Sequence, residues 1–291
     1  MKFNLRSVGF IFLHLMLLSI FYAGFSLTAF IAFILIYLLK IFFLSAGSHR
    51  YFSHRAFKTS RFFQFILAVM AAAGGQRGPL WWSSYHRLHH THSDTSEDYH
   101  SPAQHGFWYA HIGWLLEKEF QKTKNEFVGD FKNYPELFWV DKYHPIFYIG
   151  SSVFIVFVGW WLGINLPHLK TNALQFFSWG VIATSLLSAH LTMSINSIMH
   201  SKKFGYQNYD TKDNTSNIPW VWLALGEQFH HNHHYLPNSA SNIHRAGEWD
   251  LVFVVLKFLG RLGIIWDLKI PSFESESKGY TLLFKKNLNN F

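Results

Sequence analysis

The chain has 291 residues, of which 49% are hydrophobic and only 14% charged, and it contains 19 histidines and no cysteine. The charged fraction is well below the quarter or so that is typical of soluble globular proteins. The lack of cysteine excludes disulfides, thiolate zinc sites and iron–sulfur clusters, so any metal must be bound by nitrogen or oxygen. The 25 basic and 17 acidic residues give a net charge of +8, which suits anionic lipid headgroups or a phosphate-bearing substrate.

The N-terminal region is predicted to form two transmembrane helices. Residues 7–39 contain no Lys, Arg, Asp or Glu. One helix of that length would reach about 50 Å, whereas the hydrocarbon core of a bilayer is about 30 Å thick. The sequence therefore predicts spans at about 7–25 and 27–47 with a tight turn between them. The second apolar block, which follows at once, argues against a cleaved signal peptide.

A second pair of spans is predicted downstream, at about 146–166 and 172–195, because both stretches lack charged residues. Basic residues cluster beside the ends of the spans and are nearly absent from the two hairpin turns. Both termini and both long polar stretches are therefore expected in the cytoplasm. The sequence thus predicts an all-α membrane protein with four transmembrane helices in two hairpins, and a multi-pass integral membrane location.

The polar stretches 48–144 and 201–271 are predicted to form a helical cytoplasmic cap, so that 1–271 is one membrane domain and 272–291 a C-terminal tail. Residues 57–74 alternate apolar and basic side chains, which is typical of a helix lying on the membrane surface.

The histidines are the residues that most clearly indicate a chemical function. They occur in four short motifs: His49-Arg-Tyr-Phe-Ser-His54, His86-Arg-Leu-His89-His90, Asn196-Ser-Ile-Met-His200 and Glu227-Gln-Phe-His230-His231-Asn-His233-His234. In a helix, residues three and four apart share a face, while adjacent residues diverge by about 100°. Each H-x-x-H-H trio can therefore serve two neighbouring ions, and the repeated pattern predicts a dinuclear centre that the cap carries. Neutral imidazole suits zinc, copper, iron and nickel.

Several other polar residues are candidates to support such a centre. Asp94, Asp98 and Glu227 are placed to accept hydrogen bonds from metal-binding imidazoles. Asn196 lies one turn before His200, where its amide could hold a metal-bound water. His231 lies off the shared face of its trio and is interpreted as a bystander.

Three of these motifs, His49–His54, His86–His90 and His230–His234, are called the first, second and third histidine boxes below. They resemble the histidine boxes of the membrane-bound fatty acyl desaturases, in particular the acyl-CoA (stearoyl-CoA-type, Δ9) branch, whose first box is also H-x4-H. The similarity extends to Asn196–His200, to Gly106–Trp114 and to Gly226-Glu227, and it covers about 40–270. It implies a di-iron centre with nine histidine ligands and an asparagine-held water, carried over here to His49, His54, His86, His89, His90, His200, His230, His233, His234 and Asn196.

The resemblance also implies a reaction and its partners. Two iron ions, O2 and two electrons would introduce a cis double bond into a long-chain acyl-CoA. The electrons would come from a separate ferredoxin, rubredoxin or cytochrome. We expect no bound haem or flavin and no nucleic-acid partner.

The chain departs from that branch before its second box. Trp81–Tyr85 lacks the Arg-Asp pair that animal members use near the CoA headgroup, and Arg77, Arg87 and Lys118 are weaker basic substitutes. An acyl chain on a lipid or a carrier protein therefore stays open. Candidate walls of an acyl tunnel near the metals are Trp82 and Trp114, and candidate floor residues are Phe33 and Tyr37.

Two other functions are alternatives to desaturation. An alkane, sterol or fatty-acid hydroxylase of the same histidine-box superfamily would share the metal chemistry but yield an alcohol. A non-catalytic membrane metal carrier would need polar groups within its spans to pass the ion. The histidine boxes lie outside the predicted spans, which argues against the carrier.

Overall fold

The computed structural model describes residues 5–272 of the chain, and that part is mostly helical. Its α-helices in chain order are α1 (Leu5–Met16), α2 (Ser19–Ala23), α3 (Leu27–Phe43), α4 (Arg61–Ala73), α5 (Pro79–His92), α6 (Pro102–His105), α7 (Trp114–Leu116), α8 (Pro135–Lys142), α9 (His144–Asn165), α10 (Ala173–Gln175), α11 (Thr184–Ser197), α12 (His230–Tyr235) and α13 (Leu251–Arg261). The predicted tail, 272–291, lies outside the described residues except for Ser272.

Other secondary structure connects these helices. Segments of π-helix cover Leu44–Ser53, Tyr109–Gly113 and Phe176–Ala183, and single 3-10 turns cover Glu119–Gln121, Asn125–Phe127, Gly129–Phe131, Pro167–Leu169 and Trp222–Ala224. Two short strands, β1 (Lys58–Thr59) and β2 (Ile265–Trp266), pair antiparallel with Lys58 opposite Trp266. This small ribbon is a correction to the all-helical prediction. It lets the C-terminal segment pair with the backbone that follows the first histidine box.

Three helical stretches are long and apolar enough to cross a membrane: Leu27–Ser53, His144–Asn165 and Ala173–Ser197. They coincide with three of the predicted spans. The first of them runs past its predicted end at 47, because α3 continues without a break into the π-helix that ends at Ser53. The third is assembled from α10, a π-helical segment and α11.

The predicted span at 7–25 forms two shorter helices, α1 and α2. The amides of Leu17 and Leu18 bond to the carbonyls of His14 and Leu15, three residues back instead of four, which tightens and interrupts the helix. At 12 residues α1 is about 18 Å long, less than the hydrocarbon core of about 30 Å. A membrane crossing by this segment therefore stays a prediction, as does the cytoplasmic orientation of the cap.

The helix predicted at 57–74 is present as α4 but begins only at Arg61, because Lys58 and Thr59 form β1; its position on a membrane surface stays a prediction. The Ser60 side chain accepts a hydrogen bond from the Phe63 amide and caps its start. Leu67 and Ala68 are buried, and the helix packs against α9 and the π-helix after α3. Phe62 on the opposite face is exposed. The apolar core around α4 also includes Phe52 and Leu80, so it supports the segments that carry the first two histidine boxes.

Candidate metal centre

The π-helix after α3 explains the spacing of the first box. In an α-helix, residues five apart diverge by about 140°. Here the amide of His54 donates to the carbonyl of His49, a bond between residues five apart that is the π-helical pattern. The two imidazole rings consequently lie 5.1 Å apart, centroid to centroid. The H-x4-H spacing thus brings both rings to one side only because this segment is π-helical.

Helix α5 carries the second box and is anchored at its first turn. Pro79 occupies the first helical position, where its missing N–H costs nothing. The Asp141 carboxylate accepts hydrogen bonds from the amides of Leu80 and Trp81 at 2.9 and 2.8 Å. A side chain at Gly78 would collide with Asp141, so glycine is required for this close approach.

Helix α12 carries the third box and has only six residues, so its own hydrogen bonds do little to hold it. The buried Asn232 side chain compensates. Its oxygen accepts from the amides of Asn208 and Asn217 at 2.8 Å each, and its nitrogen donates to Asn242 and Glu248 at 2.9 and 2.8 Å. A polar network from the segments before and after α12 therefore fixes the orientation of the histidine helix.

The fold gathers the nine predicted histidines into two adjacent groups. Within each group, one ring nitrogen of every member lies within 4.8 Å of the others. Each H-x-x-H-H trio is divided between the groups, as expected for residues that diverge around a helix. The first group contains His49, His54, His86, His90 and His233, and the second contains His89, His200, His230 and His234.

Carboxylates that the sequence singled out orient three of these imidazoles. Glu227 accepts from Nδ1 of His49 at 2.7 Å, Asp98 from Nδ1 of His89 at 3.0 Å, and Asp94 from Nδ1 of His200 at 3.0 Å. The sequence named all three residues as candidate acceptors, and their part in a metal site stays a prediction. Because a carboxylate only accepts, each of these Nδ1 atoms carries a hydrogen, which leaves Nε2 as the ring nitrogen available to a metal.

The electrostatics keep the carboxylates charged and most of the imidazoles neutral. Burial alone would raise the pKa of Asp98, but its hydrogen bond and attraction to His89 hold that pKa well below the usual range. Burial, reinforced by neighbouring imidazoles, lowers the pKa of six of the nine histidines well below the ordinary value: His54, His86, His90, His230, His233 and His234. At His200, burial is outweighed by Asp94, which raises the pKa.

These residues fit a pair of metal ions. The Nε2 atoms of His89 and His234 are buried and have no hydrogen-bond partner among the described residues. Their Nδ1 atoms already donate to Asp98 and Asp213. A bare imidazole lone pair in a dry interior is costly unless a cation or a donor meets it. Nitrogen-rich sets of four and five imidazoles are suited to iron and related transition metals.

Sequence reasoning missed three features of the site. Asp213 accepts from Nδ1 of His234 at 2.8 Å, but it lies in a loop with no helical spacing to that histidine. Arg50 is fully buried and pairs with both Glu227 and Asp250 at 2.9 Å, which fixes the carboxylate behind His49. The adjacency of Arg50 to His49 was the available signal. His100 forms a third group with His89 and Asp98.

The remaining candidate residues lie in different places. Trp82 packs against His86 with ring centroids 4.7 Å apart and lines the cavity beside the histidines, as does Asn196. Trp114 lines an adjoining cavity. Phe33 stacks on Tyr37, and neither is among the residues that line these two cavities, so a floor made by this pair stays a prediction.

His231 lies outside both groups, consistent with its interpretation as a bystander. It is buried, and its two ring nitrogens contact the Thr215 hydroxyl and the Tyr209 backbone at 3.0 and 3.1 Å. It therefore fastens α12 to the preceding loop.

Comparison with known proteins identifies the class. The sequence model of the fatty acid desaturase family matches residues 9–249, and the chain belongs to this family. It is 32% identical over 229 residues to an sn-1 stearoyl-lipid 9-desaturase of Anabaena variabilis, covering 78% of each chain. It is 33% identical to a hex-5-enoyl-[acyl-carrier protein] acetylenase of Moorena producens (79% of this chain, 73% of that one) and 31% identical to an acyl-CoA C20 Delta5-desaturase of Anemone leveillei (80% and 70%).

Proposed function

We propose that this protein is an oxygen-dependent desaturase that introduces a cis double bond into a long-chain fatty acyl group at a di-iron centre. The observation that carries the proposal is the convergence of nine histidines into groups of five and four, each within 4.8 Å. Membership of the fatty acid desaturase family supports the same reaction. The nine histidines would bind the two irons, and Asn196 would hold a water on one of them.

When bound, the iron pair would supply the oxidising power, drawn from O2 and two electrons, that removal of hydrogen from an unactivated methylene requires. The chain's own residues position and isolate that chemistry. Glu227, Asp98 and Asp94 fix the orientation of their imidazoles. Ile41 and Leu191 line the cavity beside the histidines and keep it apolar, which excludes water from a reactive centre.

Finer features of the activity are part of the proposal. The resemblance to the acyl-CoA branch favours a thioester and the Δ9 position, whereas the names of the relatives include lipid-, carrier-protein- and CoA-linked chains. Electrons would come from a separate ferredoxin, rubredoxin or cytochrome that docks on the cytoplasmic face. The excess of basic over acidic residues in the chain favours an acidic electron-donor protein.

Gas chromatography of total fatty acids tests the reaction in a host that lacks its own desaturases. Expression of the chain is expected to produce a cis monoenoic acid, and mass spectrometry of a derivative locates the double bond. The His233→Ala variant, recovered from the membrane in equal amount, should yield none. A hydroxylated acid in place of an alkene would overturn desaturation in favour of hydroxylation. No product from a protein that binds iron would overturn both.

A further inference from the structure

A third cluster of metal-ligating side chains lies beside the two histidine groups. It consists of His89, Asp98 and His100, each of which offers one ligand atom within 4.8 Å of the others. All three side chains are buried. Asp98 and His100 lie in the loop after α5, and neither belongs to the two histidine groups. The cluster therefore shares His89 with the candidate metal centre and adds two ligands that the centre does not use.

The imidazole of His100 has a ring nitrogen without a hydrogen bond. Its Nδ1 is buried and makes no hydrogen bond with any described residue, and Oδ1 of Asp98 is 3.6 Å away from it. A buried polar atom without a partner is costly and is rare in native proteins. A cation between this nitrogen and the carboxylate would provide a partner for both.

The carboxylate of Asp98 has no strong cationic partner in this part of the molecule. Its ion-pair partners among the described residues are His89 and His100, at 3.0 and 3.6 Å. The backbone amides of Asp94 and His100 also donate to it, but amides carry no net charge. Burial of a carboxylate is costly unless it is paired or coordinates a metal. A divalent cation would supply the compensation that a lysine or arginine supplies elsewhere.

The distances between the ligand atoms suit a tetrahedral ion. Zinc binds imidazole nitrogen and carboxylate oxygen at about 2.0–2.2 Å, so the ligand atoms around one tetrahedral ion are about 3.3–3.6 Å apart. Nδ1 of His89 lies 3.0 Å from Oδ2 of Asp98, and Nδ1 of His100 lies 3.6 Å from Oδ1. These separations require only small shifts of the side chains to surround one ion.

The ligand set distinguishes this cluster from the two histidine groups. Those groups offer four and five imidazoles, whereas this cluster offers two imidazoles and one carboxylate. Three protein ligands and a water form a common zinc site, and sites of nitrogen and oxygen bind Zn2+ more tightly than Fe2+. His100 lines a cavity of about 410 Å³, which gives the ion and its water a way in.

We propose that His89, Asp98 and His100 form a third metal site, which binds Zn2+ and weakens the binding of iron by the second histidine group. This inference rests on the proposed metal centre, because His89 belongs to both sites. Zinc replaces the hydrogen on Nδ1 of His89, which is released to water as a proton, and the imidazole then bridges the two sites through its two nitrogens. Asp98 no longer orients His89, and an added positive charge lies on the other side of its ring. The affinity of the second group for iron therefore falls.

The lack of cysteine in the chain allows a spectroscopic test of the third site. In His100→Cys one thiolate replaces one of the three ligands. Titration of the purified full chain with Co2+ should then produce the near-ultraviolet charge-transfer band of a cobalt–thiolate bond. His168→Cys, at an exposed turn, should give no such band. Absence of the band from a folded His100→Cys protein, or equal bands in both variants, would overturn the third site.

Zinc content provides an independent count of the sites. The full chain, equilibrated with excess Zn2+ and then separated from the free ion, should hold three zinc ions. His168→Ala should also hold three and His100→Ala two, with equal melting temperatures in the metal-free state. Two zinc ions in all three proteins would overturn the third site and leave the proposed dinuclear centre intact. Fewer than two in the unaltered chain would count against the centre itself.

The antagonism is tested on the iron-loaded protein. Added Zn2+ should release iron to a chromogenic Fe2+ chelator and inhibit formation of the alkene. His100→Ala should need about tenfold more zinc, or above, for half of either effect, as expected from the influence of groups that orient metal ligands. Each protein is compared with its own zinc-free value, so a change in basal activity does not affect the result. Equal sensitivity to zinc in the two proteins would overturn the antagonism.

Discussion

The two helices that carry the H-x-x-H-H trios divide their histidines in opposite proportions. Helix α5 gives His86 and His90 to the first group and His89 to the second, whereas α12 gives His233 to the first and His230 and His234 to the second. Each helix therefore contributes to both groups. Neither group is formed by one helix alone, which explains why the pattern occurs twice in the sequence.

The same helices differ in how they are held. Helix α5 has 14 residues and needs support mainly at its first turn, from Asp141. Helix α12 has six residues and depends on Asn232 and on contacts from neighbouring loops. The histidines of α5 are thus positioned mainly by local helical structure, whereas those of α12 are positioned by a tertiary polar network. Variants in the two regions should fail for different reasons.

Loss of one ligand from either helix should have the largest effect. His89→Ala on α5 and His233→Ala on α12 each remove an imidazole from a different group, and each should abolish activity while the protein stays in the membrane. Product analysis with membrane fractionation measures both. The exposed His105→Ala serves as the control. Retained turnover in either ligand variant would contradict the assignment of metal ligands.

Loss of the Asn232 network should come next. Asn232→Ala leaves several buried partners without hydrogen bonds and should lower the free energy of unfolding by about 3 kcal/mol or more. Both groups should lose iron, because α12 contributes to both. Thermal unfolding and metal analysis measure the two effects. Asn165→Ala, at an exposed helix end, should change neither; a stable, fully iron-loaded Asn232→Ala protein would disprove the tertiary support of α12.

A smaller effect is expected for the carboxylate that the sequence did not reveal. Asp213→Asn weakens the hydrogen bond that orients His234 and should reduce metal affinity by about 10- to 100-fold without unfolding the protein. Competition with a chelator measures the affinity. Glu97→Gln is the matched control, because Glu97 pairs with His92 outside the metal groups and is 71% exposed on its side chain. Equal affinity in the two variants would show that Asp213 does not orient the ligand.

The smallest effect should appear at the start of α5. Asp141→Asn retains the size of the side chain but weakens its hydrogen bonds to the first-turn amides, and should destabilise the protein by about 1 kcal/mol. Iron content should stay unchanged, because the rest of α5 holds its histidines. A loss of iron as large as that of Asn232→Ala would show that the two helices are held alike.

The sequence predicted well what depends on local periodicity. Helical spacing was enough to predict that the members of each trio face two different sites, and the carboxylates Asp94, Asp98 and Glu227 lie close to their motifs in sequence. Three of the four spans predicted from apolar stretches coincide with helices that are long and apolar enough to cross a membrane. The division of the first predicted span into α1 and α2 was not predicted, because hydropathy does not report a change in hydrogen-bond pattern at Leu17 and Leu18.

Features that are assembled from distant segments of the chain were not predicted from the sequence. One cavity is lined by Gly9, Gly75 and Tyr148, which share no sequence pattern. Hydrogen bonds join His14 to His190 and His190 to His111, and each of these three histidines looks like an isolated interfacial residue in the sequence. The π-helical turn that brings His49 and His54 together also carries no compositional signal.

Quantification of iron in the purified full-length protein tests the central claim most directly. We expect two iron ions per chain, both bound mainly by histidine nitrogen. Mössbauer spectroscopy of the same sample distinguishes the two iron sites. His89→Ala and His90→Ala, which remove neighbouring residues from different groups, should each disturb a different iron. A folded protein that binds one iron or none, or two variants with indistinguishable spectra, would contradict a dinuclear centre shared between α5 and α12.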